Sequence, residues 1–124
     1  MYHIKIGCYS QLFLYDTLKI GDDVEIGSSL IVHTSEHIFL DSKKSICSQG
    51  SNYSQVTIGS NVYIGSRVTI LPGVNIENDI VIAAGSVVTK DLKSGYIYGG
   101  VPAKKLKGIF DHVNPKENKG SWEA

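Results

Sequence analysis

Between Ile58 and Leu92 the aliphatic residues recur every six positions, with Ile58, Ile64, Ile70, Ile76, Ile82 and Val88 heading successive hexads. The fifth position of each hexad is Val62, Val68, Val74, Ile80, Ser86 and Leu92, aliphatic except for one small residue. An α-helix cannot keep such a repeat on one face, because about 3.6 residues per turn do not divide six. A half-buried flat strand would alternate every second residue. The spacing suits short strands that turn a corner and return above themselves, a parallel β-helix of hexapeptide repeats. In its own phase the period also runs through Tyr2, Cys8, Leu14, Ile20, Ile26 and Val32. There the fifth column is Ile6, Leu12, Leu18, Val24 and Leu30, ending in Glu36.

Three hexads make one triangular coil, so the pattern predicts an all-β fold of about four coils, over 2–19, 20–37, 58–75 and 76–93. At a strand spacing of ~4.8 Å the coils form a prism ~19 Å tall. Each buried Val, Leu or Ile contributes roughly 1.5–3 kcal/mol, much of it offset by ordering the backbone. Gly21, Gly27, Gly59 and Gly65 each follow a column residue. A sharp turn there wants a positive φ or no Cβ. A thin solenoid with open ends needs caps or partners, which predicts an oligomer.

The phase breaks at 38–57, a stretch rich in Ser, Gly, Asn and Lys that reads as a loop extruded between two coils. Loops of that length in compact domains are usually functional or disordered. After Leu92, Gly99-Gly100 marks a turn and Pro102 suits the first turn of a helix. Ala103, Leu106, Ile109, Phe110 and Val113 recur at helical spacing, predicting a short C-terminal helix. The chain thus reads as one domain, 1–124: N-terminal coils 2–37, inserted loop 38–57, C-terminal coils 58–93, turn and short helix 94–113, polar tail 114–124.

Twelve basic residues balance twelve acidic ones, so no global field argues for nucleic acid or a membrane surface. No apolar run reaches membrane-spanning length, and the N-terminus lacks the regions of a signal peptide. Cys8 and Cys47 alone are too few for a secreted disulfide framework and badly spaced for zinc. A cytoplasmic protein with free thiols is the expectation.

The stretches NVYIGSRVTILPGVNI (61–76), VIAAGSVVTKDL (81–92) and YGGVPAKKLK (98–107), with IVHTSEH (31–37) ahead of a loop, resemble the hexapeptide-repeat O-acetyltransferases, which include the maltose and galactoside enzymes. The resemblance covers most of 20–107 and implies a left-handed winding, a homotrimer with active sites between subunits, and acetyl-CoA as co-substrate without a metal. It implies transfer of the acetyl group to a hydroxyl of a sugar or glycan acceptor. A hydroxyl needs a base to take its proton as it attacks the thioester. A histidine, with an unperturbed pKa near ~6.5, suits that role. The family's catalytic histidine falls on His37. On the donor side, Ser66 and Ala84 match backbone contacts to the pantetheine arm, Thr89 and Lys90 the nucleotide end, and Lys104 and Lys107 the phosphates. Tyr63 stands where the maltose and galactoside enzymes carry a tryptophan. The acceptor asparagine of those enzymes is not evident, nor is their helical N-terminal extension, so a cell-surface polysaccharide or its precursor is the favoured acceptor.

The residues leave rival readings. His33, four positions before His37, reads as a structural or supporting partner to the acceptor site. Asp16 and Asp41 are candidate acceptor ligands, although aspartates more often solvate a turn. Glu36 falls at a core-facing phase where an unpaired carboxylate is costly; either the coil opens there or Glu36 orients the His37 ring. Nothing near Cys47 activates its thiol. A γ-class carbonic-anhydrase-like metalloenzyme needs three histidines on a zinc, of which His33 and His37 supply two. A non-catalytic hexapeptide scaffold is the third reading.

Overall fold

The computed structural model describes residues 3–110. Three parallel sheets are visited in rotation. The first rotation is β1 (Ile4–Ile6), β2 (Gln11–Phe13) and β3 (Leu18–Ile20). The second begins with β4 (Val24–Ile26) and β5 (Ile31–His33), leaves through β6 (Ser35–His37), a 3-10 turn at Ile46–Ser48 and β7 (Ser51–Tyr53), and rejoins at β8 (Val56–Ile58). The third is β9 (Val62–Ile64), β10 (Thr69–Ile70) and β11 (Asn75–Ile76). Above it come β12 (Ile80–Ile82), β13 (Val87–Val88) and a bridge from Leu92 to Ile76. The sheets run β1-β4-β9-β12-β14-β15, β13-β10-β5-β2 and β11-β8-β3, where β14 is Tyr96–Gly99 and β15 is Lys104–Gly108. Each strand is stacked on its counterpart one rotation away, which is the β-helix that the hexads predict.

The aliphatic columns are the core. Ile58, Ile64, Ile70, Ile76, Ile82 and Val88 are buried, and so are Val62, Val68, Val74, Ile80 and Leu92. Register keeps like above like: Ile26 pairs with Ile64 and Ile64 with Ile82. Ser86, the polar exception in its column, is fully buried; its Oγ donates to Ala83 O at 2.7 Å and accepts from Gly100 N at 3.2 Å.

Positive φ falls two residues beyond the glycines singled out in sequence, at Asp23, Ser29, Asn61 and Arg67. The glycines answer to space instead. A Cβ on Gly65 would stand 2.6 Å from the backbone nitrogen of Ala84 in the coil above.

Three expectations need correction. In the first coil the columns are out of the expected phase. Ile6 and Leu12 lie under Ile26 and Val32 and so take the head position, Ile4 lies under Val24, and Cys8 and Leu14 are exposed. Two extra residues before Leu18 restore the phase at Ile20. The helix over 94–113 is absent among the described residues. Tyr96–Gly99 joins the first sheet beside β12, Gly100 (φ +99) turns the chain back, and Lys104–Gly108 pairs antiparallel with it. The open edge left by β12 offers this stretch backbone partners that a lone helical turn lacks, and lysines suit the outermost strand. Val113 and the tail 114–124 lie outside the described residues. The third correction concerns the loop 38–57, which begins and ends about three residues earlier than expected, leaving at Ser35 and rejoining the stack by Val56. Val56 is fully buried and pairs with Leu18, while β6 and β7 form an antiparallel ribbon that carries Glu36, exposed, away from the core.

Candidate active site

The candidate residues divide between two corners of the prism on either side of the sheet β13-β10-β5-β2. One corner follows β9 and β12. There Ser66 Oγ accepts from Ser28 N at 3.2 Å, tying the second rotation to the third. The carbonyl of Ser66 accepts from Gly85 N at 2.9 Å, which sets exposed Ala84 directly above. Ala83 N donates to Tyr98 O at 2.8 Å, and Lys104 pairs with Gly99 in the same hairpin. Ser66, Ala84 and Lys104 therefore climb one edge. Nothing lies within 4 Å of a Cβ built on Gly85, so the strip of small residues leaves open space outside it. The neighbouring sheet presents a row of Glu25, Tyr63, Val81, Ile97 and Lys107 in register. Tyr63 is about half exposed, and Lys107 tops the row. Lys105, between the two candidate lysines, lies over the Tyr96 ring with Nζ 4.0 Å from its centre.

The other corner follows β2, β5, β10 and β13. Its anchor, which sequence reasoning missed, is Thr34, fully buried. Thr34 Oγ1 accepts from Tyr15 N at 2.8 Å and Asp16 N at 3.0 Å and donates to Phe13 O at 3.2 Å. Its carbonyl accepts from Ser54 N at 2.8 Å. The ribbon β6–β7 leaves from this knot, with Ser35 opposite Tyr53 and His37 opposite Ser51. His37 is exposed at the end of β6. His33 is half-buried, its ring stacked on Phe13 with centroids 4.8 Å apart. Asp16 Oδ1 accepts from Thr17 N at 2.6 Å, and Asp41 Oδ1 from Lys43 N at 3.0 Å, so both carboxylates brace turns. Thr89 and Lys90, exposed after β13, lie on this corner and apart from the other donor-side candidates.

The two corners are a strand length apart, about 10 Å for three residues. A single chain thus holds the strip of small residues and the ribbon histidine on opposite edges of one sheet. No group of three or more His, Cys, Asp or Glu side chains with metal-site spacing is gathered among the described residues. No helix among them is long and apolar enough to cross a membrane.

Residues 55–90 match the family model described as the hexapeptide repeat of succinyl-transferase. Over 47 residues the chain is 43% identical to a 2,3,4,5-tetrahydropyridine-2,6-dicarboxylate N-acetyltransferase of Clostridium perfringens, a stretch covering 38% of this chain and 20% of that protein. A maltose O-acetyltransferase from Clostridium difficile 630 shares the fold with TM-score 0.73 at 33% identity, over 87% of this chain and 59% of that one. AntD, an N-acyltransferase from Bacillus cereus in complex with dTDP and 3-hydroxybutyryl-CoA, gives 0.75 at 26% identity, over 86% and 60%. The chain thus spans about a fifth of the curated relative's length and about three fifths of these solved structures. It carries the hexapeptide repeat, and its relatives in sequence and in fold are acyltransferases.

Proposed function

We propose that the chain is an acyl-CoA-dependent acyltransferase that moves an acetyl group to a hydroxyl of a sugar or glycan, with His37 as general base. The observation that carries this reading is the separation of the two corners. A strip of small residues ending in lysines suits an extended thiol ester with a phosphorylated tail, and an exposed histidine stands on a ribbon at the opposite edge. One chain leaves them apart; neighbouring copies in a left-handed homotrimer bring one chain's ribbon to the next chain's strip. Tyr63, Ser66, Ala84, Lys104 and Lys107 line the donor side; Thr89 and Lys90, on the other corner, meet its nucleotide end from the neighbouring copy. Asp16, His33 and Asp41 border the acceptor.

In the reaction the acceptor oxygen attacks the thioester carbonyl while the His37 imidazole takes its proton. The carbon–sulfur bond breaks, and the departing thiolate recovers the proton from the imidazolium. A positioned base of this kind contributes about 10²–10⁴-fold. The relatives include both O- and N-acyltransferases. A histidine base matters most for a hydroxyl, which is the poorer nucleophile. Exposed thiols at Cys8 and Cys47 suit the cytoplasm.

Incubation with acetyl-CoA and a panel of pyranosides and nucleotide sugars, read by free thiol, tests the reading. His37→Ala is expected to lower turnover at least about a hundredfold with CoA affinity retained. Turnover within a few-fold of the parent refutes the assignment. Light scattering that gives a monomer refutes the shared site.

A further inference from the structure

Two exposed tyrosines stand at the base of the ribbon that carries His37, and the reaction above does not use them. Tyr15 is 74% exposed and Tyr53 58% exposed, and their rings lie 6.0 Å apart at a 43° tilt. Scattered aromatics on a surface are ordinary; a pair held in place by a buried group is not. The backbone of Tyr15 donates to Thr34 Oγ1, and that of Ser54, next to Tyr53, donates to Thr34 O. One buried threonine therefore fixes both rings' main chains, although they come from segments 38 residues apart in sequence. The hairpin register adds direction. Opposed residues of an antiparallel pair share a face, and so do alternate residues of one strand. Ser35, His37, Ser51 and Tyr53 thus share one face of the ribbon. His37 is the diagonal neighbour of Tyr53, within reach of a long side chain.

Resting on the proposed transferase reading, we infer that Tyr15 and Tyr53 form the platform on which the acceptor lies, and that the acceptor is a pyranose ring. An aromatic ring offers a large apolar surface at low conformational cost, and a tyrosine adds a polar tip. A pyranose has the matching form, with an apolar face of C–H bonds and a rim of hydroxyls. Packed on the tilted rings, it turns that rim toward His37 and toward Asp16, whose backbone hangs from the same threonine. The platform selects for ring-shaped acceptors over linear alcohols and amines.

The test uses the full chain, with methyl β-galactopyranoside and methyl α-glucopyranoside as probes and 1,3-propanediol as the linear control. Saturation-transfer NMR without coenzyme is expected to show the ring C–H protons of at least one pyranoside and none of the diol. The signal is lost in the Tyr15→Ala/Tyr53→Ala double variant and kept in Tyr15→Phe/Tyr53→Phe. In the transfer assay the alanine pair raises acceptor KM about tenfold or more, as expected for losing two ring contacts, and leaves the KM for acetyl-CoA unchanged. No pyranoside signal from the parent overturns the platform, as does equal signal from the alanine pair. A change in oligomeric mass on removing the rings also overturns it, because the tyrosines then belong to a contact between copies. The outcomes separate the two proposals. Transfer that depends on His37 but not on the tyrosines refutes the platform alone. Pyranoside bound through the tyrosines with no acetyl transfer refutes the reaction alone.

Discussion

The two ends of the prism are made of the same hexads and finish differently. At the amino-terminal end Ile4, Ile6 and Leu12 hold the register positions of Val24, Ile26 and Val32, yet they stay 44, 38 and 41% exposed where the residues above them are at most 4% exposed. At the other end the hairpin of β14 and β15 closes the first sheet, Tyr98 is buried, and its hydroxyl accepts from Lys93 N at 2.8 Å while donating to Lys93 O at 2.9 Å. A column residue is therefore buried by the coil next to it and not by its own coil. An isoleucine contributes in proportion to how many neighbours its coil has, whatever its place in the hexad.

The contrast can be broken most severely from within. Ile64→Ala, in the middle of the stack and fully buried, is expected to cost about 2–5 kcal/mol. Ile6→Ala is expected to cost well under half of that, because much of the side chain is already in water. Urea unfolding of the two variants decides it, and equal losses refute the dependence on neighbours. Next comes Gly65→Ala, whose new Cβ must push the Ala84 backbone upward. Overpacking of this kind costs about 1–3 kcal/mol, and the displaced strip should also weaken CoA binding. Tyr98→Phe removes the clasp of the closed end and strands two backbone groups of Lys93, at about 1–2 kcal/mol. Hydrogen exchange should quicken at Lys93 and leave the first rotation unchanged.

The smallest effect is at Glu77. Its Oε1 accepts from Ser94 N at 3.0 Å, and this bond, helped by Lys93 with Nζ 3.5 Å from Oε2, holds the carboxyl below the usual glutamate range. A depressed folded pKa gives a contribution that is fully present above the ordinary glutamate value and lost as pH falls through the lower, folded one. Because the group is exposed, solvent keeps that contribution small. The Tm difference between the parent and Glu77→Gln should narrow on acidification from neutrality, and a difference that holds at acid pH refutes the linkage.

The sequence revealed the columns because burial on a repeating scaffold repeats with it, and Ile58 to Leu92 behaves as read. Val56 was readable too: it is the fifth position of the hexad 52–57, hidden among polar neighbours. The C-terminal strand was not readable from local spacing. Ala103, Leu106 and Ile109 fit a helix equally well, and the free edge beside β12 decided otherwise. Thr34 gave no signal, since a hydroxyl that accepts from a coil 18 residues earlier is visible only once the coils are stacked. The meeting of Tyr15 and Tyr53 depends on how the insertion returns, which no period encodes.

Thr34 and Ser54 are joined by a single backbone hydrogen bond, so the segment between them departs and re-enters through one narrow neck. The stack on either side keeps its register whatever is spliced into that gap. Such a cassette can be lengthened, shortened or exchanged without rewriting the solenoid, which makes it the natural place to evolve or engineer a new appetite for acceptors.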